Sequence, residues 1–330
     1  MDQKLQDESK ATRSRRTEAQ SVCCPHCSTV LDQVDGALDC KRCELQFATV
    51  EAIPVLADSP VNTTDSLSEA EVSTLLEQVN EHGWASGLRA LLLQLPEWKA
   101  LAGHTEFNDP RGILTSMMVG GPHHTSVLCL GCTAGAVPFA LAERFRRVTV
   151  CDLSLGRLRI LEKHSAHDEY KNINFVCGGD TDYLPFCASR FDLVFIDTNA
   201  FQDSRLQQSS FWSEIARTLQ PHGACFTSAH NRLDPRRLFG HAPEASQNGF
   251  LTVRFLRHML GTVGLRCTNT YGVLPSIRVP EMLFDLESAE LGRTLRATPR
   301  MRCRLTSLCL NNKLFVPAFG LTAIKNGGTS

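Results

Sequence analysis

The sequence contains no long hydrophobic run. None of its apolar segments approaches the ~20 residues that a membrane-spanning helix needs. Residues 1–20 are polar and mixed in charge, without the apolar core of a secretory signal. These absences predict a cytoplasmic protein without a membrane span. The 14 cysteines are therefore expected to be reduced, with metal binding favoured over disulfide pairing.

A strong net charge of either sign is also missing. The formal net charge is -1, so no global basic field attracts nucleic acid or an anionic membrane, although a local basic patch is compatible with this value. With 42% hydrophobic and 21% charged residues, the composition is typical of a soluble globular protein. A chain of 330 residues can form one large domain and a small one.

Two pairs of cysteines near the N-terminus have the spacing of a metal site. They are Cys24-Pro-His-Cys27 and Cys40-Lys-Arg-Cys43. Two such pairs about a dozen residues apart can bring four thiolates into one tetrahedron, because each pair sits on a tight turn. The pattern predicts a structural zinc ribbon with the ligands Cys24, Cys27, Cys40 and Cys43. Cys23 and His26 lie beside these ligands and could substitute for one of them.

Four segments follow from composition and local signals. Residues 1–20 are predicted to be a disordered tail, 21–58 the zinc ribbon, 59–125 a helical extension, and 126–330 an α/β domain. Within the extension, Ser68 and Glu71 have the spacing of a capping box and predict a helix that runs to about Asn80. Further helices are predicted at about 84–95 and 110–118.

From residue 126 onward, strand and helix patterns alternate. Strands are predicted at about 126–131, 147–152, 172–177, 191–197, 223–229, 265–273 and 316–324. Helices are predicted at about 135–145, 155–165, 209–219 and 250–263. This alternation indicates an α/β fold: a Rossmann-like, seven-stranded, mainly parallel sheet with helices on both faces, preceded by the small zinc ribbon and the helical linker region.

The first strand–helix–strand unit has the features of a nucleotide-binding site. An apolar run ends in a glycine-bearing turn at Gly131 to Gly135, and a second apolar run ends at Asp152. A carboxylate there can accept hydrogen bonds from both ribose hydroxyls. Asp180 follows the third strand and could accept a hydrogen bond from an adenine amine, while Asp197 ends the fourth strand at the same edge.

These segments, in this order and spacing, resemble the class I S-adenosylmethionine-dependent methyltransferases. The segment Gly179-Asp-Thr-Asp-Tyr-Leu-Pro-Phe186 is similar to the type 11-like branch, whose third-strand segment reads Gly-Asp-x-x-x-Leu-Pro-Phe. The resemblance implies S-adenosylmethionine as cofactor. It also implies one set of cofactor contacts: Gly131, Cys132 and Gly135 at the methionine moiety, Asp152 at the ribose, Asp180 and Thr181 at the adenine, and Asp197 near the transferred methyl group.

The cysteine-rich segment carries a second resemblance. Together with Glu51-Ala-Ile-Pro-Val-Leu56, the two cysteine pairs are similar to the small zinc-ribbon activator subunit of tRNA and release-factor methyltransferases. Such ribbons also occur fused ahead of methyltransferase domains. The resemblance implies a structural zinc ion and leaves open whether the ribbon binds substrate, a protein partner or only its own domain.

The acceptor is the least determined part of the prediction. The combination of Asn231-Arg232, the following Leu238-Phe-Gly240 and Leu274-Pro-Ser-x-Arg-x-Pro280 is similar to bacterial methyltransferases that accompany glycosyltransferases, which implies a small-molecule or glycan hydroxyl. Methyl transfer from a sulfonium is an in-line displacement in which the enzyme supplies alignment and a base. His230 and Asp197 are the candidate bases.

Two alternatives remain open at this point. One is an RNA methyltransferase that uses the ribbon to bind its substrate, against which the near-neutral charge stands. The other is a non-catalytic scaffold with a methyltransferase-like fold. It depends on two departures from the family pattern, Cys129 where the family usually has an acid and Thr133 where it usually has a glycine.

Overall fold

The structure is a computed structural model. It describes residues 22–34, 36–58, 68–83, 126–131, 136–167, 169–179, 183–198, 201, 203–234, 250–275, 280–287 and 316–327. The predicted N-terminal tail and the predicted helices at about 84–95 and 110–118 lie outside these residues. So do Cys132 to Gly135, Asp180 and Thr181.

The segment formed by residues 22–34 and 36–58, here called the N-terminal module, consists of short antiparallel strands. Its strands are β1 (Asp32–Val34), β2 (Ala37–Cys40), β3 (Leu45–Phe47), β4 (Thr49–Val50) and β5 (Ile53–Pro54). Strands β1, β2 and β3 form one sheet in that order, and β4 pairs with β5 in a two-stranded hairpin. The first cysteine pair, Cys24 and Cys27, lies at a turn before β1. In the second pair, Cys40 ends β2 and Cys43 lies in the turn that leads to β3.

Helix α1 (Glu69–His82) begins at the predicted capping box. The Ser68 hydroxyl accepts a hydrogen bond from the Glu71 backbone N–H at 3.4 Å, and the Ser68 N–H donates to the Glu71 carboxylate at 2.7 Å. Its buried face consists of Val72, Leu75, Leu76 and Val79, the i, i+3, i+4, i+7 spacing of an amphipathic helix. The predicted start of this helix is confirmed.

In the described part of the chain, the central sheet has nine strands. They are β6 (Ser126–Leu130), β7 (Arg147–Asp152), β8 (Ile173–Cys177), β9 (Phe191–Asp197), β10 (Leu219–Asn231), β11 (Phe250–Leu251), β12 (Leu265–Pro275), β13 (Pro280–Asp285) and β14 (Ala318–Lys325). Their order is β13-β12-β14-β10-β9-β6-β7-β8, with β11 paired to β10. Strands β6 to β10 are mutually parallel, whereas β14, β12 and β13 join in antiparallel pairs.

The predicted count of seven strands is therefore wrong. Each of the seven predicted strands has a counterpart in the sheet, but β11 and β13 were not predicted. Strand β11 has only two residues, too few for a periodicity. Strand β13 begins at Pro280, a residue that lacks a backbone donor and is usually a sign against a strand.

Helices cover both faces of the sheet, as predicted. They are α2 (Ala136–Ala142), α3 (Leu155–His167), α4 (Asp203–Leu206), α5 (Ser209–Thr218) and α6 (Val253–Thr262). On one face α2 and α3 share a buried cluster with Phe195 and Phe226. On the other face α5 and α6 share a cluster with Val194 and Cys225. Alternate residues of β9 and β10 thus point to opposite layers.

The N-terminal module packs against the edge of the sheet at β8. Val55 pairs in parallel with Cys177, and the Leu56 N–H donates to the Cys177 carbonyl at 2.7 Å. The buried module residues Cys24, Leu31 and Leu38 belong to the same hydrophobic cluster as the sheet strands. The module therefore covers a sheet edge that would otherwise expose unpaired backbone groups.

The described helices include none that is long and apolar enough to cross a membrane.

Candidate functional site

The glycine turn after β6 lies where the strand order reverses. The chain runs from β6 through β7 to β8 on one side and returns to β9 on the other side of β6. Gly131 has a φ of 78°, a left-handed conformation that favours glycine, and its N–H donates to the Cys151 carbonyl at 3.0 Å. In open α/β sheets, ligands bind in the crevice at this reversal.

Asp152 ends β7 beside this turn. Its Oδ1 accepts a hydrogen bond from the Ser154 N–H at 2.8 Å, and its Oδ2 accepts one from Arg157 Nη1 at 2.8 Å. The Asp152 side chain is 5% exposed and that of Arg157 is 11% exposed. These two bonds orient the carboxylate at the end of β7. The sequence analysis missed Arg157.

A second glycine turn follows β8. The Gly178 N–H donates to the Asp152 carbonyl at 3.0 Å, and Gly179 has a φ of 93°. The Cys151 thiol donates to the Gly178 carbonyl at 3.5 Å. The segment that leads to Asp180 and Thr181 therefore starts directly beside the predicted ribose carboxylate.

Asp197 and His230 lie on one face of the sheet. Asp197 is buried and pairs in register with Ser228 of β10, and His230 follows Ser228 by two residues. His230 is buried within β10, with its ring centroid 5.4 Å from that of Phe250. Among the described residues, the buried Ser228 hydroxyl has no hydrogen-bond partner. The strand predicted at about 223–229 ended just before His230, whereas β10 includes it and runs to Asn231.

Asn231 has a structural role at the end of β10. Its side-chain amide donates to the Val316 carbonyl at 2.7 Å, and its Oδ1 accepts from the Leu233 N–H at 3.0 Å. These bonds cap the end of β10 and fix its position against Val316.

Cys129, one of the two departures from the family pattern, is accommodated beneath the first glycine turn. It is fully buried, and its thiol donates to the Gly131 carbonyl at 3.6 Å. Thr133, the other departure, lies outside the described residues.

The described residues fit a nucleoside-containing cofactor. Two left-handed glycines follow β6 and β8, the strands on either side of β7, and Asp152 ends β7 between them. Among the described residues, a buried Ser228 hydroxyl without a hydrogen-bond partner lies on β10 in register with Asp197. Glycine at the turns lets the backbone approach a ligand closely. The structure thus places Gly131, Asp152 and Asp197 at one edge of the sheet, as predicted. Their roles in cofactor binding stay predictions.

The four predicted zinc ligands form one cluster. The sulfur atoms of Cys24, Cys27, Cys40 and Cys43 all lie within 4.8 Å of one another, and the Cys27 and Cys40 sulfurs are 3.4 Å apart. Hydrogen bonds from Thr29 lower the pKa of Cys27 to about 6, whereas interaction with the neighbouring thiols raises the pKa of Cys43 to about 12. Four cysteine sulfurs this close together can coordinate one cation, and Zn²⁺, which four thiolates bind in a tetrahedron, fits this set.

The two alternative ligands are engaged elsewhere. The His26 Nε2 lies 3.2 Å from Asp58, and the imidazole stacks on Phe47 at 6.4 Å between ring centroids. Cys23 forms a disulfide with Cys187, with the Cα atoms 5.8 Å apart. The expectation that all cysteines are reduced is therefore wrong for this pair. Such a partnership across a sequence separation of 164 has no local signal.

Comparison with known proteins identifies the central segment. Residues 127–223 match the family described as "Methyltransferase domain". This match begins in β6 and ends in β10, so the matched segment includes the positions of Gly131, Asp152 and Asp197.

One curated relative matches part of the chain. It is the cypemycin N-terminal methyltransferase of a Streptomyces species, 34% identical over 119 residues. That match covers 36% of this chain and 46% of the relative, so the chain spans less than half of the relative's length.

Solved structures resemble the chain at low identity. A SAM-dependent methyltransferase from Aquifex aeolicus is 13% identical with a TM-score of 0.46, covering 69% of this chain and 97% of that one. A complex between the Haloferax volcanii Trm112 methyltransferase activator and a methyltransferase contains a similar chain, 15% identical with a TM-score of 0.44. This similarity covers 78% of the present chain and 97% of the other.

Proposed function

We propose that the protein transfers a methyl group from S-adenosylmethionine to an acceptor hydroxyl. The observation that carries the proposal is the arrangement of Gly131, Asp152 and Asp197 at the ends of three adjacent parallel strands, inside a segment that matches a methyltransferase domain.

The cofactor would be held along the carboxyl edge of the sheet. Asp152, oriented by Arg157, would accept hydrogen bonds from the ribose hydroxyls. Asp180 and Thr181 would contact the adenine, and Gly131, Cys132 and Gly135 the methionine moiety. S-adenosylmethionine supplies an electrophilic methyl group when bound.

The acceptor would lie against the face that carries Asp197 and His230. Either the Asp197 carboxylate or the His230 imidazole would take the proton of the acceptor hydroxyl, and alignment of that oxygen with the methyl group would supply most of the catalysis. The acceptor class proposed here is a small molecule or glycan.

A second acceptor is favoured by the curated relative, whose name states N-terminal methylation. An amine at the N-terminus of a peptide would use the same in-line geometry. The two acceptors are separated by offering sugar hydroxyls, free peptides and N-acetylated peptides, and by measuring S-adenosylhomocysteine formation. RNA as acceptor would instead show salt-dependent binding.

We also propose a structural zinc ion at Cys24, Cys27, Cys40 and Cys43. The four sulfurs form a closed set with no position for a substrate, which is typical of structural rather than catalytic zinc. The ion would stabilise the N-terminal module, whose residues pack on the sheet edge at β8.

The first test is a calorimetric titration of S-adenosylhomocysteine into zinc-replete protein. We expect micromolar binding that weakens about tenfold or more in Asp152→Ala, because charged hydrogen bonds contribute about 1.5–3 kcal/mol. A second variant, Asp152→Asn, removes the charge but keeps the shape of this side chain, which is buried against Arg157. Asp32→Ala, an exposed change in the N-terminal module, is the control. No binding by the wild type would support the scaffold alternative.

A further inference from the structure

An ion pair on α5 holds the backbone of Leu184 at both of its polar groups. Glu214 Oε2 accepts a hydrogen bond from the Leu184 N–H at 2.9 Å. Arg217 Nη2 donates to the Leu184 carbonyl at 3.0 Å. These two side chains and Leu184 form what is here called the Leu184 clamp.

The clamp is internally complete and well anchored. Arg217 donates to Glu214 through Nε at 2.8 Å and through Nη2 at 2.7 Å, a bidentate geometry. Glu214 is only 8% exposed. Helix α5 itself is fixed by the fully buried Trp212, whose indole N–H donates to the Leu206 carbonyl at 2.8 Å.

The position of the clamp points to a role beyond packing. Leu184 closes the segment that starts at Gly178 and contains Asp180 and Thr181, the predicted adenine contacts. The start of this segment is fixed by the bond from the Gly178 N–H to the Asp152 carbonyl. Its other end is fixed by Glu214 and Arg217, so both ends of the segment have defined positions.

A purely hydrophobic contact would not fix the segment in the same way. The hydrogen bonds to the N–H and the carbonyl of one residue define the rotation of its peptide planes, whereas apolar packing is non-directional. A buried carboxylate is also costly unless it is paired and hydrogen-bonded, which Glu214 is on both oxygens. The Leu184 clamp therefore fixes the orientation of the Leu184 backbone at the end of the segment.

We propose that Glu214 and Arg217 are positioning residues that set the adenine-binding segment 178–184 through the backbone of Leu184. This inference rests on the proposed function, because it assigns the segment to S-adenosylmethionine. Neither residue touches the cofactor in the proposal. They act on cofactor affinity through the main chain.

The test measures S-adenosylhomocysteine affinity and backbone hydrogen exchange in the full-length, zinc-replete protein. We expect Glu214→Ala and Arg217→Ala to raise the dissociation constant about tenfold or more, the effect of losing charge-assisted hydrogen bonds. Glu214→Gln keeps an acceptor for the Leu184 N–H but loses the charge that pairs with Arg217, so its dissociation constant should lie between those of the wild type and Glu214→Ala. Exchange in peptides that cover 178–186 should accelerate in the same order.

Two variants of the same helix separate positioning from stability. Ile215→Val removes one buried methyl group next to Glu214 and lowers stability without touching the clamp. Ser213→Ala changes an exposed side chain. Both should keep wild-type affinity and wild-type exchange in 178–186.

Three results would decide against the inference or the function beneath it. Affinity losses in Glu214→Ala no larger than in Ile215→Val would overturn the positioning role, as would unchanged exchange in 178–186. Absence of binding in the wild type would overturn the proposed cofactor instead. Hydrogen exchange in 178–186 would then still show whether Glu214 and Arg217 hold the backbone of Leu184.

Discussion

The two halves of the central sheet are built differently. In the cofactor half, β6 to β9, the parallel strands pair in unbroken register. In the antiparallel half, β12 to β14, the register shifts once between β12 and β14 and once between β12 and β13. An unbroken parallel register places several strand ends at one level, which a shared ligand requires. Irregular register redirects side chains locally.

The halves also differ at their outer edges. The β8 edge is covered by the N-terminal module through Val55 and Leu56, and is further tied to it by the Cys23–Cys187 disulfide. The β13 edge has no paired strand among the residues that the structure describes. The backbone pairing and the disulfide that link the N-terminal module to the sheet are therefore on the side of the predicted cofactor site. Three matched pairs of variants and one test of the disulfide examine this contrast.

The largest expected difference in stability is between a cysteine variant in the N-terminal module and one in the antiparallel half. Cys40→Ser removes a buried member of the four-thiol cluster, and we expect loss of zinc with a decrease of about 3 kcal/mol or more in the free energy of unfolding. Cys267→Ser, half-buried in β12, should cost about 1 kcal/mol. Metal content and urea unfolding measure both. Unchanged zinc and stability in Cys40→Ser would remove the case for a metal site.

The disulfide should give the next largest effect. Reduction, or Cys187→Ser, should lower the free energy of unfolding by about 2–4 kcal/mol, because the cross-link restricts the unfolded chain. Urea unfolding with and without dithiothreitol measures this loss. In Cys187→Ser, dithiothreitol should have no further effect. A wild-type protein that is equally stable with and without reductant would show that Cys23 and Cys187 are not bonded in solution.

Two glycine substitutions compare the halves directly. Gly179→Ala forces a left-handed φ of 93° on a side chain, at a cost of about 1–2 kcal/mol, and should also weaken S-adenosylhomocysteine binding. In Gly272→Ala the new Cβ would lie 2.5 Å from Phe284 Cζ, which should cost about 1–3 kcal/mol and leave binding unchanged. Thermal unfolding and calorimetry measure the two quantities. Equal binding losses in both variants would abolish the distinction.

The smallest effect concerns one ion pair in each region. Arg159 lowers the pKa of Glu51, so this carboxylate stabilises the fold at neutral pH and loses that contribution as the pH falls through its lowered folded-state pKa. Glu51→Gln should cost about 0.2–1 kcal/mol at pH 7 and nothing at low pH. Glu287→Gln breaks the more exposed pair with Arg257 and should cost less. Urea unfolding at several pH values measures both. A Glu51→Gln cost that persists at low pH would exclude the ion pair as its source.

Two kinds of feature were predictable from the sequence: local motifs, and residues that lie together because parallel strands end at the same edge of the sheet. The start of α1 follows from Ser68 and Glu71, which lie three residues apart and need no tertiary partner. The neighbourhood of Asp152 and Asp197 follows because parallel strands share one carboxyl edge. The clustering of the four cysteines follows from their spacing in two pairs.

Features that depend on distant pairing were not predictable. Glu214 contacts Leu184 across 30 residues, and a glutamate in an amphipathic helix carries no sign of being buried. Arg157 reads as an ordinary surface cation in the first turn of a helix until the structure brings it to Asp152. The cytoplasmic location, the domain boundaries and the roles of the site residues stay predictions.

The place of β14 has a consequence for the order in which the chain is made. This strand, the last described one in sequence, lies between β10 and β12 and is hydrogen-bonded to both. During synthesis, β12 and β13 therefore cannot join the sheet until residues 318–325 have left the ribosome, because β12 reaches the sheet only through β14. The cofactor half can assemble from earlier residues, since domains form from the N-terminal side as they emerge. A nascent chain could thus assemble the parallel strands β6 to β10 long before the antiparallel half of the sheet can form.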